Sequence, residues 1–211
     1  MAATTVLIPA YNEQDHVAAV VRAALEAGFP VIVADDGSAD ATAQVAEAAG
    51  AKVVRLPQNR GKGGAVAYGL RHVETPLVML LDADLTGLTP PHLEALLAPV
   101  RDGEADMSIG IFKGGRLQTD LAQRITPYLS GQRAFRTELL RQVQGLEGAR
   151  YGIEMVLTQH AAEHKWRVKY VPLVGMGQVM KEEKRGFWGG VAHRLQMYRE
   201  ILRSWRRRRV S

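Results

Sequence analysis

Short apolar runs rich in β-branched residues recur through the first half of the chain and predict strands. We expect strands at residues 5–8, 31–34, 52–56, 77–81 and 107–112. The run at 77–81 is continuously apolar, as is typical of a central strand that is buried on both faces. Polar residues follow several of these runs directly, so the predicted strand ends lie beside candidate functional side chains.

Helical spacing of apolar residues separates the predicted strands. Asn12 is interpreted as an N-cap, because Asp15 stands three residues on and an apolar series with helical spacing runs from Val17 to Leu25, where Gly28 ends it. Further helices are predicted at residues 40–49, 65–72 and 90–100. This alternation predicts an α/β fold with a mostly parallel sheet that is flanked by helices on both faces.

The second half of the chain is less regular. Helices are predicted at residues 139–143 and 154–164, and a strand at 167–174. The last 21 residues, 191–211, combine an apolar stripe at helical spacing with a cluster of arginines, which predicts a basic amphipathic helix. No linker composition separates these parts, so we expect a single domain over 1–211, divided into 1–113, 114–190 and the helix 191–211.

The composition is that of a soluble globular protein, with 46% hydrophobic and 23% charged residues. The chain has no cysteine, which excludes disulfides and thiolate metal sites and favours a cytoplasmic location. No apolar run approaches the ~20 residues that a transmembrane helix needs. No basic segment precedes the first strand, so no signal peptide is expected.

The positive charge is concentrated at the C-terminus. The net charge is +5, and five of the last nine residues are arginine. Without them the chain is close to neutral, so a nucleic-acid surface is not expected. The apolar stripe of the terminal helix is typical of packing on a core, whereas its arginines favour peripheral contact with the anionic inner face of a membrane.

The sequence Asp82-Ala83-Asp84 directly follows the apolar strand 77–81. Alternate side chains of an extended segment point the same way, so both carboxylates can face one point. Mg²⁺ and Mn²⁺ are bound by such carboxylates together with water and substrate phosphates. An isolated Asp-x-Asp is more often a pair of solvated loop aspartates, but its position after a buried strand favours a metal site.

Two further polar clusters are expected at the same edge of the sheet, since ligands of such sheets sit beyond the carboxyl ends of the strands. Glu13 follows the first predicted strand and Asp36 the second. The stretch Asp35-Asp36-Gly37-Ser38 is equally typical of a turn with a helix cap. Gly61-Lys62-Gly63-Gly64 precedes a predicted helix and suits an anion, although a simple turn is the better explanation.

Four motifs, taken in order, resemble glycosyltransferase family 2. They are residues 6–13, 33–38, 59–63 and 81–84. The resemblance covers the first half strongly and extends more loosely to Val174. It implies a GT-A fold, a Rossmann-like sheet in which residues 1–113 bind a nucleotide-diphosphate sugar and residues 114–190 bind the acceptor.

The same resemblance implies roles for individual residues. Contacts to the nucleoside are expected from Pro9, Tyr11, Glu13 and Asp36. Lys62 is expected near the nucleoside or the phosphates. Asp82 and Asp84 are expected to serve Mg²⁺ or Mn²⁺, with Asp84 as the principal ligand and as a catalytic residue.

Within the family, the dolichyl- or polyprenyl-phosphate mannose synthase branch is the most similar, through residues 82–85 and the stretch Ser130-Gly131-Gln132-Arg133-Ala134. Thr86 stands where that branch has a glutamine as a further metal ligand, and residues 87–89 replace a histidine-proline stretch. Soluble glucosyl-3-phosphoglycerate synthases share a similar donor half. The acceptor is therefore either a polyprenyl phosphate or a small phosphorylated or hydroxyl-bearing compound.

The resemblance also indicates a catalytic base at the start of a helix in the acceptor half, where Glu154 is the best match. Such a base would have to reach the acceptor hydroxyl. A helix N-terminal charge without a catalytic role fits the position equally well. Arg124 and Arg133 are candidates for binding donor or acceptor phosphate, and surface salt bridges are the competing explanation for both.

Two other functions compete with sugar transfer. A sugar-phosphate nucleotidyltransferase would carry a glycine-rich, arginine-containing loop after the first strand, and residues 9–13 do not match it. A non-catalytic nucleotide-binding protein would tolerate Asp84→Asn without loss of function. The sequence does not indicate the donor sugar, the base of the nucleotide, the anomeric outcome of the transfer or the oligomeric state.

Overall fold

The computed structural model describes residues 3–113, 130–149 and 152–178. Their helices are α1 (Val17–Glu26), α2 (Thr42–Ala48), α3 (Gly61–Leu70), α4 (Pro90–Arg101), α5 (Thr137–Gln142) and α6 (Ile153–Glu163). Their strands are β1 (Thr4–Ala10), β2 (Val31–Asp35), β3 (Lys52–Arg55), β4 (Leu77–Leu80), β5 (Leu85–Thr86), β6 (Met107–Lys113), β7 (Arg133–Arg136), β8 (Val168–Val174) and β9 (Gly177–Gln178).

Seven strands form the central sheet in the order β3-β2-β1-β4-β7-β6-β8, and β5 pairs with β9 in a separate two-stranded sheet. The contacts β1–β2, β1–β4, β2–β3 and β6–β8 are parallel. Only β7 among the seven runs against its neighbours, β4 and β6. The prediction of an α/β fold with a mostly parallel sheet is therefore confirmed.

Helices cover both faces of this sheet because side chains alternate along each strand. Val6 and Ile8 of β1 pack into a buried cluster with apolar residues of α1 and α4, whereas Leu7 packs into a second cluster with residues of α3, α5 and α6. None of the described helices is long and apolar enough to cross a membrane.

Two local predictions are wrong. Asn12 is not the N-cap of α1, because it has a φ of 54° in a turn, and the helix begins only at Val17, after His16. Asparagine tolerates this left-handed conformation better than most residues. The segment 61–64 is not a turn before α3 but its first helical turn.

The arrangement of the C-terminal part stays a prediction. The described residues up to Gly177 belong to one compact unit. The predicted helix 191–211 lies outside the described residues, as do residues 114–129. The single-domain prediction for 1–211 is likewise untested.

Gly63 marks the point where α3 packs against the loop between α5 and α6. A Cβ at this position would lie 2.2 Å from the carbonyl oxygen of Leu146 and 2.5 Å from that of Ala149. The Gly63 amide also donates a hydrogen bond to Ala149 at 3.1 Å. Only glycine permits this close approach of two backbones.

We therefore expect Gly63→Ala to lower the free energy of unfolding by about 2–3 kcal/mol, because the methyl group would overlap backbone atoms that cannot rotate away. Urea unfolding followed by circular dichroism measures the change. Gly148→Ala in the same loop is the matched control, since the nearest atom to its Cβ would be at 3.7 Å. Equal effects of the two substitutions would show that the close contact at Gly63 does not matter.

Candidate active site

The acidic residues that follow strands lie at one edge of the sheet. The parallel registers pair Ala10 with Asp35 and Leu7 with Leu80, so β1, β2 and β4 end on the same side. Glu13, Asp36 and the pair Asp82 and Asp84 all follow these strand ends. The expected gathering of acidic residues at one sheet edge is thus present.

Backbone and side-chain hydrogen bonds join the loop after β1 to the loop after β2. The Asn12 amide donates to Ser38 Oγ at 3.0 Å, and Asn12 Oδ1 accepts from the Ala39 amide at 2.9 Å. The Glu13 amide donates to Thr42 Oγ1 at 2.8 Å, and the buried Glu13 carboxylate lies 3.3 Å from His16 Nδ1. Tyr11 projects from this frame with 42% of its surface exposed.

The two aspartates at the end of β2 bind different parts of the protein. Asp36 accepts hydrogen bonds from the amides of Arg60 and Gly61, both at 2.8 Å, and so holds the start of α3. Its negative charge is also favourable beside a helix N-terminus. Asp35 accepts from the Ser38 amide at 3.1 Å and pairs with Arg55 at 3.0 Å. A nucleoside contact by Asp36 stays a prediction.

Lys62 in the first turn of α3 connects the two halves of the site. Its ammonium lies 2.5 Å from Asp82 Oδ1 and 2.5 Å from Glu154 Oε1. Burial acts to lower the pKa of Lys62, but the two carboxylates outweigh it and raise the pKa above its usual value. The lysine is therefore a fixed positive charge between a residue that follows β4 and a residue in the first turn of α6.

Asp82 and Asp84 occupy different environments. Asp82 Oδ2 accepts a hydrogen bond of 2.9 Å from Gln132 Nε2, so both of its oxygens have protein partners. Asp84 is only 3% exposed, while Thr86 is exposed. Among the described residues, no group of three histidine, aspartate or glutamate side chains could hold a metal ion. A metal held here would need water or substrate oxygens as further ligands.

Arg133 at the start of β7 is fully buried rather than exposed to the cleft. Its guanidinium donates to Ser130 O at 2.9 Å, to Thr158 Oγ1 at 3.0 Å and to the backbone oxygen of Glu154 at 3.1 Å. Burial lowers the pKa of Arg133 to about 10, which leaves it charged at neutral pH. These contacts fix α6 on β7 and give no support to phosphate binding. Arg124 lies outside the described residues.

Several of the predicted residues line one small pocket beneath Lys62. It is lined by Pro9, Lys62, Val66, Leu80, Leu81, Gly131, Arg133, Ile153, Glu154 and Leu157. Pro9, Lys62 and Glu154 thus come together. The stretch 130–134 resembles a family motif, but the sequence alone does not predict the contact between Gln132 and Asp82. Only the pairing of β4 with β7 brings these residues together.

Comparison with known proteins finds a matching family and several relatives. Residues 5–166 match the family described as Glycosyl transferase family 2. Glycosyltransferase AglJ of Haloferax volcanii is 32% identical over 81% of this chain, and an undecaprenyl-phosphate 4-deoxy-4-formamido-L-arabinose transferase of Edwardsiella ictaluri is 28% identical over 70%. The chain spans 62% and 46% of the lengths of these two relatives.

Solved structures show a similar fold. Glucosyl-3-phosphoglycerate synthase from Mycobacterium tuberculosis, in complex with Mn²⁺, UDP and glucosyl-3-phosphoglycerate, superimposes with a TM-score of 0.71 and 25% identity. The match covers 85% of this chain and 72% of that protein. Another structure of the same synthase contains Mg²⁺ and UDP.

Proposed function

Because the chain belongs to glycosyltransferase family 2 and has its GT-A fold, we propose that it transfers a sugar from a UDP- or GDP-sugar with the help of Mg²⁺ or Mn²⁺. The observation that carries the proposal is the Lys62 bridge. It joins Asp82, which follows β4 in the donor half, to Glu154 on α6 in the acceptor half, with both contacts at 2.5 Å. A diphosphate leaving group bound by the donor half and an acceptor bound by the acceptor half would meet at this charged group.

The two aspartates suit the proposed metal in different ways. Carboxylate oxygens are ligands that Mg²⁺ and Mn²⁺ prefer. Both oxygens of Asp82 contact Lys62 and Gln132, and Asp84 is proposed as the principal ligand. Asp82 would contact the metal through water or touch the ribose. When bound, the metal would supply Lewis-acid neutralisation of the diphosphate.

Glu154 is proposed as the residue that acts on the acceptor. It lies in the first turn of α6 and is held by Lys62, so its carboxylate faces the pocket at the sheet edge. For a hydroxyl acceptor it would take up the proton of the attacking oxygen. For a phosphate acceptor no base is needed, and Glu154 would orient the acceptor through Lys62.

The proposed acceptor carries a phosphate group. One relative is named for undecaprenyl phosphate, and the structurally similar synthase is bound to glucosyl-3-phosphoglycerate. These support a polyprenyl phosphate or a small phosphorylated compound. A lipid acceptor would also explain the five C-terminal arginines as a peripheral contact with the cytoplasmic face of a membrane, although that segment lies outside the described residues.

A thermal-shift panel of UDP, GDP, ADP and dTDP, with and without Mn²⁺, tests the donor site. We expect UDP or GDP to stabilise the protein only when the metal is present. At a concentration 100 times the Kd, binding adds about 2.7 kcal/mol, which corresponds to roughly 5–10 °C in Tm for a chain of this size.

The matching nucleoside monophosphates, with and without Mn²⁺, are the control, since they lack the second phosphate that the metal would neutralise. No shift with any diphosphate would contradict the donor site. Release of pyrophosphate from a nucleoside triphosphate and a sugar phosphate would instead indicate the nucleotidyltransferase alternative.

A further inference from the structure

Gln132 occupies a buried position between the two halves of the site. We infer that Gln132 is a positioning residue: it fixes the carboxylate of Asp82 so that Asp82 holds Lys62 against Glu154. The effect of Gln132 on catalysis rests on the proposed function. The contacts of Gln132 with Asp82 do not depend on the identity of the substrate.

The Gln132 side chain is fixed from several directions. It is 1% exposed, and its backbone oxygen accepts a hydrogen bond of 2.8 Å from the Gly110 amide. The Ser130 hydroxyl lies 2.5 Å from Gly110 O and 3.0 Å from Gln132 Oε1, and it shares its one proton between these acceptors. The amide nitrogen is left to point at Asp82 Oδ2, at 2.9 Å.

The orientation of the amide follows from charge. If it were reversed, Gln132 Oε1 would face the carboxylate oxygen of Asp82, and two acceptors would meet without a proton. With Nε2 toward Asp82, the amide donates a hydrogen bond to a charged partner. Such bonds contribute more than neutral ones, because they act on a full charge.

Gly131 makes the arrangement possible by leaving room for it. A Cβ at Gly131 would lie 2.5 and 2.6 Å from the two carboxylate oxygens of Asp82 and 2.7 Å from Lys62 Nζ. The backbone of Gly131 therefore covers the ion pair closely. Ion pairs and hydrogen bonds that are shielded from water are stronger than exposed ones.

A division of work between the two aspartates follows. Gln132 and Lys62 each occupy one oxygen of Asp82, which leaves this carboxylate to set the position of Lys62 and, through it, Glu154. Asp84 is the carboxylate proposed above as the metal ligand. Losing Gln132 should disturb Lys62 and Glu154 but leave metal binding unchanged.

The test is Gln132→Met, which keeps an unbranched side chain of similar length but removes the donor. We expect crystals of the variant to show Lys62 displaced from Asp82, with the contact lengthened beyond hydrogen-bond distance. The donor in this assay is the nucleotide sugar whose base is identified by the thermal-shift panel. We expect kcat for hydrolysis of this donor to fall by about 10-fold or more, because a hydrogen bond to a charged group is lost. The KM for this donor and the affinity for Mn²⁺, measured by electron paramagnetic resonance, should stay within about twofold, the scatter of such comparisons.

Gln159→Met is the matched control, because Gln159 makes the same kind of bond, to Glu163 at 2.7 Å, on an exposed part of α6. It should leave all these quantities unchanged. An unchanged contact between Lys62 and Asp82 in Gln132→Met would overturn the inference. A tenfold or larger loss of Mn²⁺ affinity would overturn it too, since Asp82 would then be a direct metal ligand.

Two provisions keep the result decisive. If Gln132→Met does not fold, Gln132→Leu also removes the donor without adding a charge, so the same displacement of Lys62 is expected. If the wild-type protein binds no nucleoside diphosphate, the proposed function fails, but the crystal structures still decide whether Gln132 positions Asp82.

Discussion

Asp84→Asn is expected to abolish the metal dependence of nucleotide binding and to lower kcat/KM by at least about 100-fold. The reason is that a divalent ion supplies several kcal/mol of charge stabilisation to a diphosphate leaving group, and each 1.36 kcal/mol is a factor of ten in rate. Asp84 is 3% exposed beside the end of β4, so the ion would bind a carboxylate that the fold holds in place. Titration with UDP or GDP at increasing Mn²⁺ measures the effect.

Asp82→Asn provides the comparison, since the change removes the same charge two residues away. It should weaken catalysis by disturbing Lys62 but keep the Mn²⁺ dependence of binding. Asp102→Asn, on the surface after α4, should change neither quantity. The opposite pattern, with Mn²⁺ dependence lost in Asp82→Asn and kept in Asp84→Asn, would reverse the assignment of the metal ligand.

The sheet and the edge that carries the site were predictable from sequence for a local reason. Apolar β-branched runs such as 77–81 identify buried strands, and in parallel sheets the residues that follow such strands meet at one edge. Recognising each strand from its apolar residues was therefore enough to predict that Glu13, Asp36, Asp82 and Asp84 lie at the same edge of the sheet. No long-range contact had to be known.

The antiparallel strand was not predictable in this way. The sequence of β7 is Arg-Ala-Phe-Arg, and two arginines in four residues are typical of an exposed segment. Arg133 is nevertheless fully buried, because the nearby Ser130 and the distant Thr158 and Glu154 of α6 satisfy its guanidinium. The contact of Gln132 with Asp82 depends on the same pairing, so local pattern could not reveal it.

Asn12 and Asp36 show a second limit of sequence reasoning. A polar residue beside a predicted site serves either ligand or protein, and the two uses have the same sequence signal. Asn12 joins two loops and Asp36 holds the start of α3. Residues that bind a ligand can be distinguished from residues that support the site only when their contacts in the folded protein are known.

Lys62→Met is expected to reduce both stability and activity, because it removes the cation shared by two carboxylates. The side chains of Lys62, Asp82 and Glu154 are 30%, 12% and 14% exposed, so the freed carboxylates could not be fully solvated. Removing one partner of a buried pair typically costs 3–5 kcal/mol, and partial exposure reduces this to about 2–3 kcal/mol here. Transfer activity should fall by about 100-fold, since Glu154 would lose its orientation.

A double-mutant cycle isolates the bridge from general damage. Glu154→Gln removes one of the two stranded charges, so Lys62→Met combined with Glu154→Gln should be less destabilised than the sum of the single substitutions, by about 1 kcal/mol or more. Arg71→Met is the surface control, because Arg71 and Glu147 are 64% and 63% exposed and such pairs contribute about 0–1 kcal/mol. If Lys62→Met were no more destabilising than Arg71→Met in urea unfolding, the bridge would be an incidental contact. A loss of activity without a loss of stability would then have to come from contact with the donor phosphates, which nucleotide titration of the same variant measures directly.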